Sequence, residues 1–251
     1  MQPSTRIIAV TNQKGGVGKT TTAINLGTAL AAIGQRTLII DLDPQGNATT
    51  GLGIRSDAAS RTIYHVLVDH TPLADAIVDT AVPGLGVCPS SMDLSGAEME
   101  LYGVERRSFR LRDKIEAWIS SASRWDYVLI DCPPSLNVLT VNAMTAAHAV
   151  LVPLQCEFFA LEGLSKLLKT INLVRQSLNP GLMVQGIVLT MFDRRNRLSE
   201  QVAADVRAHM GEKVYRTIIP RNVRVSEAPS YGNPALLYDH RCAGSQAYIR
   251  L

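Results

Sequence analysis

The stretch TNQKGGVGKTTT, residues 11–22, decides how the rest of this 251-residue chain is read. Gly15, Gly16 and Gly18 lead into Lys19, Thr20 and Thr21, the composition of a loop whose backbone N–H groups cradle phosphate. The usual pattern, G-x-x-x-x-G-K-[ST], wants a glycine where this chain has Gln13, and an extra lysine, Lys14, stands inside the loop. One lysine suffices to reach a single triphosphate, so Lys14 needs a different job.

Outward from the loop, RIIAV (6–10) reads as a short buried strand, and residues 19–33 carry apolar and small residues at helical spacing until Gly34 stops them. RTLIIDLD (36–43) reads as a second buried strand. Strand, loop, helix and strand within about 40 residues make a βαβ unit and imply parallel pairing. Further strands are expected at 85–89, 126–131, 149–154, 182–190 and 213–219, with helices near 105–120, 137–147, 158–178 and 198–210. The expected fold is α/β, a three-layer P-loop NTPase fold with a mostly parallel twisted sheet and helices on both faces. No repeat, linker or low-complexity tract divides the chain, so 1–251 reads as a single domain.

Bulk composition agrees. With 46% hydrophobic and 19% charged residues the chain is an ordinary globular sequence. No apolar run approaches the roughly 20 residues a bilayer span needs, and the N-terminus lacks signal-peptide organisation. Cys88, Cys132, Cys156 and Cys242 are scattered, which argues against a metal cluster and suits a reducing cytoplasmic setting.

Gly15, Gly16, Val17 and Gly18 would present backbone N–H groups to phosphate oxygens, with the positive end of the following helix behind them. Lys19 would reach the β- and γ-phosphates, the Thr20 hydroxyl would sit on Mg²⁺, and Thr21 could bond the α-phosphate. Asp131 closes the apolar run YVLID, the position of a Mg²⁺-holding carboxylate. Asp41 and Asp43 close LIIDLD and both are candidate metal-site carboxylates; Asp43 is also placed to orient or deprotonate water, and Asp41 to act near Mg²⁺ or Lys19.

With those residues in hand, the chain resembles the ParA/Soj chromosome- and plasmid-partition ATPases, part of the deviant-Walker-A group that includes MinD. The resemblance is carried by QKGGVGKTTTAINL, DLDPQGNAT, IDCPPSLNVLTVNA, VPLQCEFFALEGL, IPRNVRVSEAPSYG and GSQAY, across about 6–250. It implies a homodimer that sandwiches two ATP molecules, with Lys14 reaching the partner's nucleotide much as an arginine finger does. It implies that DPQGNAT and DCPPS are switch loops ordered by the γ-phosphate, and that loss of Asp43 leaves such a protein ATP-bound and dimeric. It also implies that adenine is held by late loops, here at Met191, Pro220 and Asn222.

Members of this family bind double-stranded DNA non-specifically through a basic C-terminal surface, and residues 191–251 hold ten Lys and Arg against six Asp and Glu. Arg194, Arg195, Arg197, Arg221 and Arg224 are the candidate DNA contacts; Arg106, Arg107, Arg110, Arg112 and Lys114 read as an exposed helix face. The implied partner is a ParB-like centromere-binding protein that stimulates hydrolysis, with the protein on the nucleoid. The competing reading is a MinD-like membrane-associated ATPase, but CAGSQAYIRL offers no amphipathic tail, so stable membrane association is not expected. An amide ligase of the cobyrinate type would share the ATP site but normally brings a glutaminase module.

Overall fold

Strand β1 (Arg6–Val10) lies inside an eight-stranded sheet and ends where the glycine loop begins. The computed structural model describes residues 5–55, 60–121 and 125–251. After β1 come α1 (Lys19–Ala32), β2 (Thr37–Asp41), α2 (Asn47–Gly51), α3 (Ile63–Leu67), β3 (Val78–Asp79), β4 (Leu85–Cys88) and α4 (Ala97–Glu100). The chain continues through α5 (Arg110–Ser120), β5 (Tyr127–Asp131), α6 (Val138–Ala146), β6 (Ala149–Gln155), α7 (Ala160–Ser177) and β7 (Met183–Phe192). It finishes with α8 (Arg197–Met210), β8 (Val214–Pro220), α9 (Val223–Glu227), α10 (Ala235–Tyr238) and α11 (Ala243–Ile249).

The strand order is β3-β4-β2-β5-β1-β6-β7-β8, parallel throughout except for β3 against β4. Alternate residues of each inner strand feed opposite cores. Ile7, Leu38, Ile40, Val128 and Ile130 join one core with Leu111 of α5, Leu139 of α6, Leu164 of α7 and Val202 of α8. Ile8, Ile39 and Leu129 join the other with Ile24 of α1, Ala48 of α2, Val225 of α9 and Tyr248 of α11. That split is why these strands are apolar without interruption: the period of two remains, but both faces are dry. The expected three layers are present.

Helix α1 stops where expected. Gly34 (φ 84°) takes the left-handed position, its N–H bonding Ala31 O at 2.9 Å while Gln35 N bonds Leu30 O at 3.0 Å. Differences from the sequence expectation are local. The second strand ends at Asp41 rather than 43, because Asp43 turns the chain, its carbonyl accepting from Gly46 N at 2.9 Å. The helix expected from 105 begins at Arg110, preceded by a tighter turn over Arg107–Phe109. The two-residue antiparallel edge strand β3 was not foreseen.

Parallel register sets the site. Val10 pairs with Asp131, and Asp131 pairs with Asp41, so the glycine loop and both buried carboxylates emerge at one level of the sheet's carboxyl edge.

Candidate nucleotide-binding site

The glycine loop is held from behind and open in front. Asn12 Nδ2 donates to Pro153 O at 2.8 Å, while its Oδ1 accepts from Lys14 N at 3.1 Å. The Thr190 hydroxyl donates to Val17 O at 2.8 Å. Gly16 (φ 72°) and Gly18 (φ 86°) sit in the left-handed region, and nothing lies within 4 Å of where a Cβ on Gly15 or Gly16 would point. A side chain on Gly16 would be strained, and one on either would stand in the loop's mouth. Lys19, buried, curls back to donate from Nζ to Lys14 O at 3.0 Å, following the loop as a phosphate-reaching lysine must. Burial lowers its pKa, and the Asp131 carboxylate works against that shift. Thr20 and Thr21 form the first turn of α1 with Lys19.

The three acidic residues have different surroundings. Both oxygens of the fully buried Asp131 are shielded from solvent, and beyond the neighbouring Thr20 hydroxyl no hydrogen-bond donor meets them among the described residues. Desolvation, then the neighbouring Asp41, push its carboxyl well above the usual range; the Thr20 hydroxyl and Lys19 pull it back. Asp41, equally buried, is well supplied: Oδ2 accepts from Thr49 N at 2.8 Å and Thr49 Oγ1 at 2.7 Å, and Oδ1 from Asp43 N at 3.3 Å. Burial still raises it to about 6. Asp43 Oδ1 accepts from Gln45 N at 3.0 Å at the head of the 43–49 turn.

Asp41 is therefore an anchor for that turn, through a residue the sequence reading passed over. Thr49 bonds Asp41 with both its amide and its hydroxyl, and its hydroxyl also accepts from Ser90 N at 3.0 Å, tying α2 to β2 and to the end of β4. Its only sequence signal was membership of DPQGNAT.

Lys14 stands apart from Lys19. Its ammonium is half-exposed and pairs with Glu157 on the loop after β6, ahead of the exposed Phe158 and Phe159. Lys14 is thus held outward by its own chain and away from the buried cluster.

Beyond the loop, Pro220 and Asn222 line a cavity of about 850 Å³ between the ends of β7 and β8 and helix α11. Met191 does not line it. With φ 49° it turns over the glycine loop, its Cε 3.7 Å from where a Cβ on Gly18 would stand. Arg194, Arg195 and Arg221, read from the sequence as DNA contacts, share the cavity with Pro220 and Asn222. Arg195 is paired with Asp193, at 3.0 Å, and draws that carboxyl down to about 2. Arg224 is paired with Glu227 at 3.2 Å. Arg194, Arg197 and Arg221 are exposed and make no ion pair among the described residues.

Comparison with known proteins gives one family. A family model described as an AAA domain matches residues 5–184. The chromosome partitioning protein ParA of Caulobacter vibrioides is 68% identical over 98% of this chain and 92% of its own length. The sporulation initiation inhibitor protein Soj of Bacillus subtilis is 52% identical over 98% of this chain and 96% of its own. Among solved structures, a cobyrinic acid a,c-diamide synthase from Mycobacterium smegmatis with bound ADP and magnesium superposes with a TM-score of 0.85. It is 38% identical, over 98% of this chain and 92% of that one. A glycine loop with an added lysine, carboxylates at matching strand ends and near full-length likeness at these identities lead to one conclusion: the chain belongs to the ParA/Soj family of chromosome-partitioning ATPases.

Proposed function

We propose that this protein is a Mg²⁺-dependent ATPase that works as a DNA-partition switch. With ATP bound it pairs with a second copy and coats DNA without sequence preference; slow hydrolysis, stimulated by a ParB-like partner, resets it. The observation that carries the reading is Asp131. A fully buried carboxylate met by no hydrogen-bond donor beyond the Thr20 hydroxyl among the described residues is costly unless something else satisfies it. Here it faces Lys19 and Thr20 at the mouth of a glycine loop, a donor set that suits a hard divalent cation beside a triphosphate.

Bound Mg²⁺ would neutralise phosphate charge as it develops. The protein's own residues supply the rest. Amides of Gly15, Gly16, Val17 and Gly18 orient the phosphates, Lys19 reaches the β- and γ-phosphates, and Thr21 bonds the α-phosphate. The Thr20 hydroxyl and Asp131 would hold the metal, and Asp41 keeps the 43–49 turn in place through Thr49. Asp43, at the outer end of that turn, orients the attacking water and accepts its proton. Lys14, once released from Glu157, reaches the second copy's nucleotide. Adenine lies in the cavity beside Pro220 and Asn222, with Met191 covering the phosphate end. Arg194, Arg197 and Arg221 are the main DNA contacts; Arg195 and Arg224, already paired with acids, contribute less.

The amidating activity named for the Mycobacterium structure gains no support from the three buried thiols. Burial raises those of Cys88, Cys132 and Cys156, the last to about 11, which leaves a poor glutaminase nucleophile. Asp43→Ala tests the switch. The variant is expected to bind ATP and run as a stable dimer on gel filtration while turnover is lost; an ATP-bound monomer would contradict the assignment.

A further inference from the structure

One motif remains without a task. GSQAY (244–248) sits in α11, far along the chain from the glycine loop, yet α11 is built into the site from two sides. Tyr248, buried, meets the Thr22 hydroxyl of α1 at 3.2 Å. Gly244 packs so closely that an added Cβ would lie 2.3 Å from Val225 Cγ2 and 3.3 Å from Asn222 Cβ. The helix is thereby fixed both to the phosphate helix and to the loop bearing Asn222.

One face of α11 lines the cavity. Ala243, Gln246, Ala247 and Arg250 all border it, the spacing of a single helical stripe. The alanines share the cavity lining with Ile218 and Pro220, apolar surface of the kind a purine ring packs against. Gln246 supplies the polar edge. Its Nε2 donates to His240 O at 2.7 Å, which fixes the amide and leaves Oε1 as an acceptor with no partner among the described residues.

We infer that Gln246 reads the purine edge and makes the site select adenine over guanine. The 6-amino group of adenine donates a hydrogen bond to Oε1; guanine presents an acceptor at that position and sets oxygen against oxygen. Anchoring by His240 O matters because a free amide could turn and offer its NH₂ to guanine instead. The inference rests on the ATPase reading above and specifies the base end of that same site.

The experiment is competition of ATP and GTP against a fluorescent ATP analogue in Mg²⁺ buffer, with folding followed by circular dichroism. Wild type is expected to prefer ATP. Gln246→Leu should weaken ATP about tenfold, the effect of one lost hydrogen bond and an unpaired amino group, while GTP, freed of the opposing oxygen, binds more tightly. Gln246→Lys, which presents a donor, should move the preference toward GTP, and it carries the test if the leucine variant is unstable. An unchanged ATP-to-GTP ratio in both variants overturns the inference. Loss of DNA retention with that ratio intact also overturns it, since Gln246 would then act with Arg194 and Arg221 on the DNA side of the cavity rather than on the base. A wild type that binds neither nucleotide sinks the ATPase reading itself, a result separable from the other two.

Discussion

Asp131 occupies a position where a carboxylate is hard to sustain, flanked by β1 and β2 and met by no donor beyond the Thr20 hydroxyl among the described residues. Buried groups left unsatisfied usually mark function, since folding alone would select against them. Asp131→Asn should therefore raise thermal stability without ligand while abolishing Mg²⁺-dependent turnover. Each 1 kcal/mol gained corresponds to roughly 2–4 °C in a chain of this size. A lower melting midpoint would mean that Asp131 is structural. At this scale the sequence was informative about phosphate and metal chemistry, because those residue types are constrained by the ligand. It was silent about partnerships. Thr49 on Asp41 and Glu157 on Lys14 join residues 8 and 143 positions apart, and no spacing rule reaches across such distances.

At the scale of elements, the long ones were legible and the short ones were not, for a physical reason. Strands such as β1, β2 and β5 carry their own signal in continuous apolar runs, α7 and α8 in helical periodicity, and α1 in the glycine loop before it and Gly34 after it. Helices α2, α9 and α10 have five, five and four residues, too few to be stable alone, and exist because of what they rest on. Helix α2 rests against the 228–232 segment: the chain just beyond it, at Gly53 (φ 77°), meets Gly232 (φ 64°) backbone to backbone. A Cβ on Gly232 would fall 2.8 Å from Gly53 Cα. Gly232→Ala adds that clash to the cost of the left-handed region, together about 2 kcal/mol or more. It should lower the melting midpoint by several degrees, and hydrogen exchange should accelerate over residues 47–53 while β1 and β5 keep their protection. Uniform acceleration across the sheet would show that the effect is not local.

For the molecule as a whole, the asymmetry of charge is the relevant property. Ten cationic residues against six anionic ones in 191–251 set up a field suited to phosphate backbones, and several of its arginines gather at one end of the sheet around one cavity. Arg221→Glu should weaken DNA retention and flatten its dependence on salt, by roughly 0.9 in the log–log slope for each phosphate no longer neutralised. An unchanged slope would move the DNA surface elsewhere. No helix among the described residues is long and apolar enough to cross a membrane.

The central claim is that ATP, through Lys14 reaching between copies, makes this protein bind DNA. Its most direct test is co-sedimentation with non-specific DNA in ATP, in ADP and without nucleotide, for wild type and Lys14→Ala, with ATP affinity measured in parallel. The account predicts that wild type sediments with DNA in ATP alone. Lys14→Ala should bind ATP with near-normal affinity, remain a single copy and stay in the supernatant. Equal DNA binding in ATP and ADP, or a Lys14→Ala variant that loses ATP affinity instead of pairing, would contradict it.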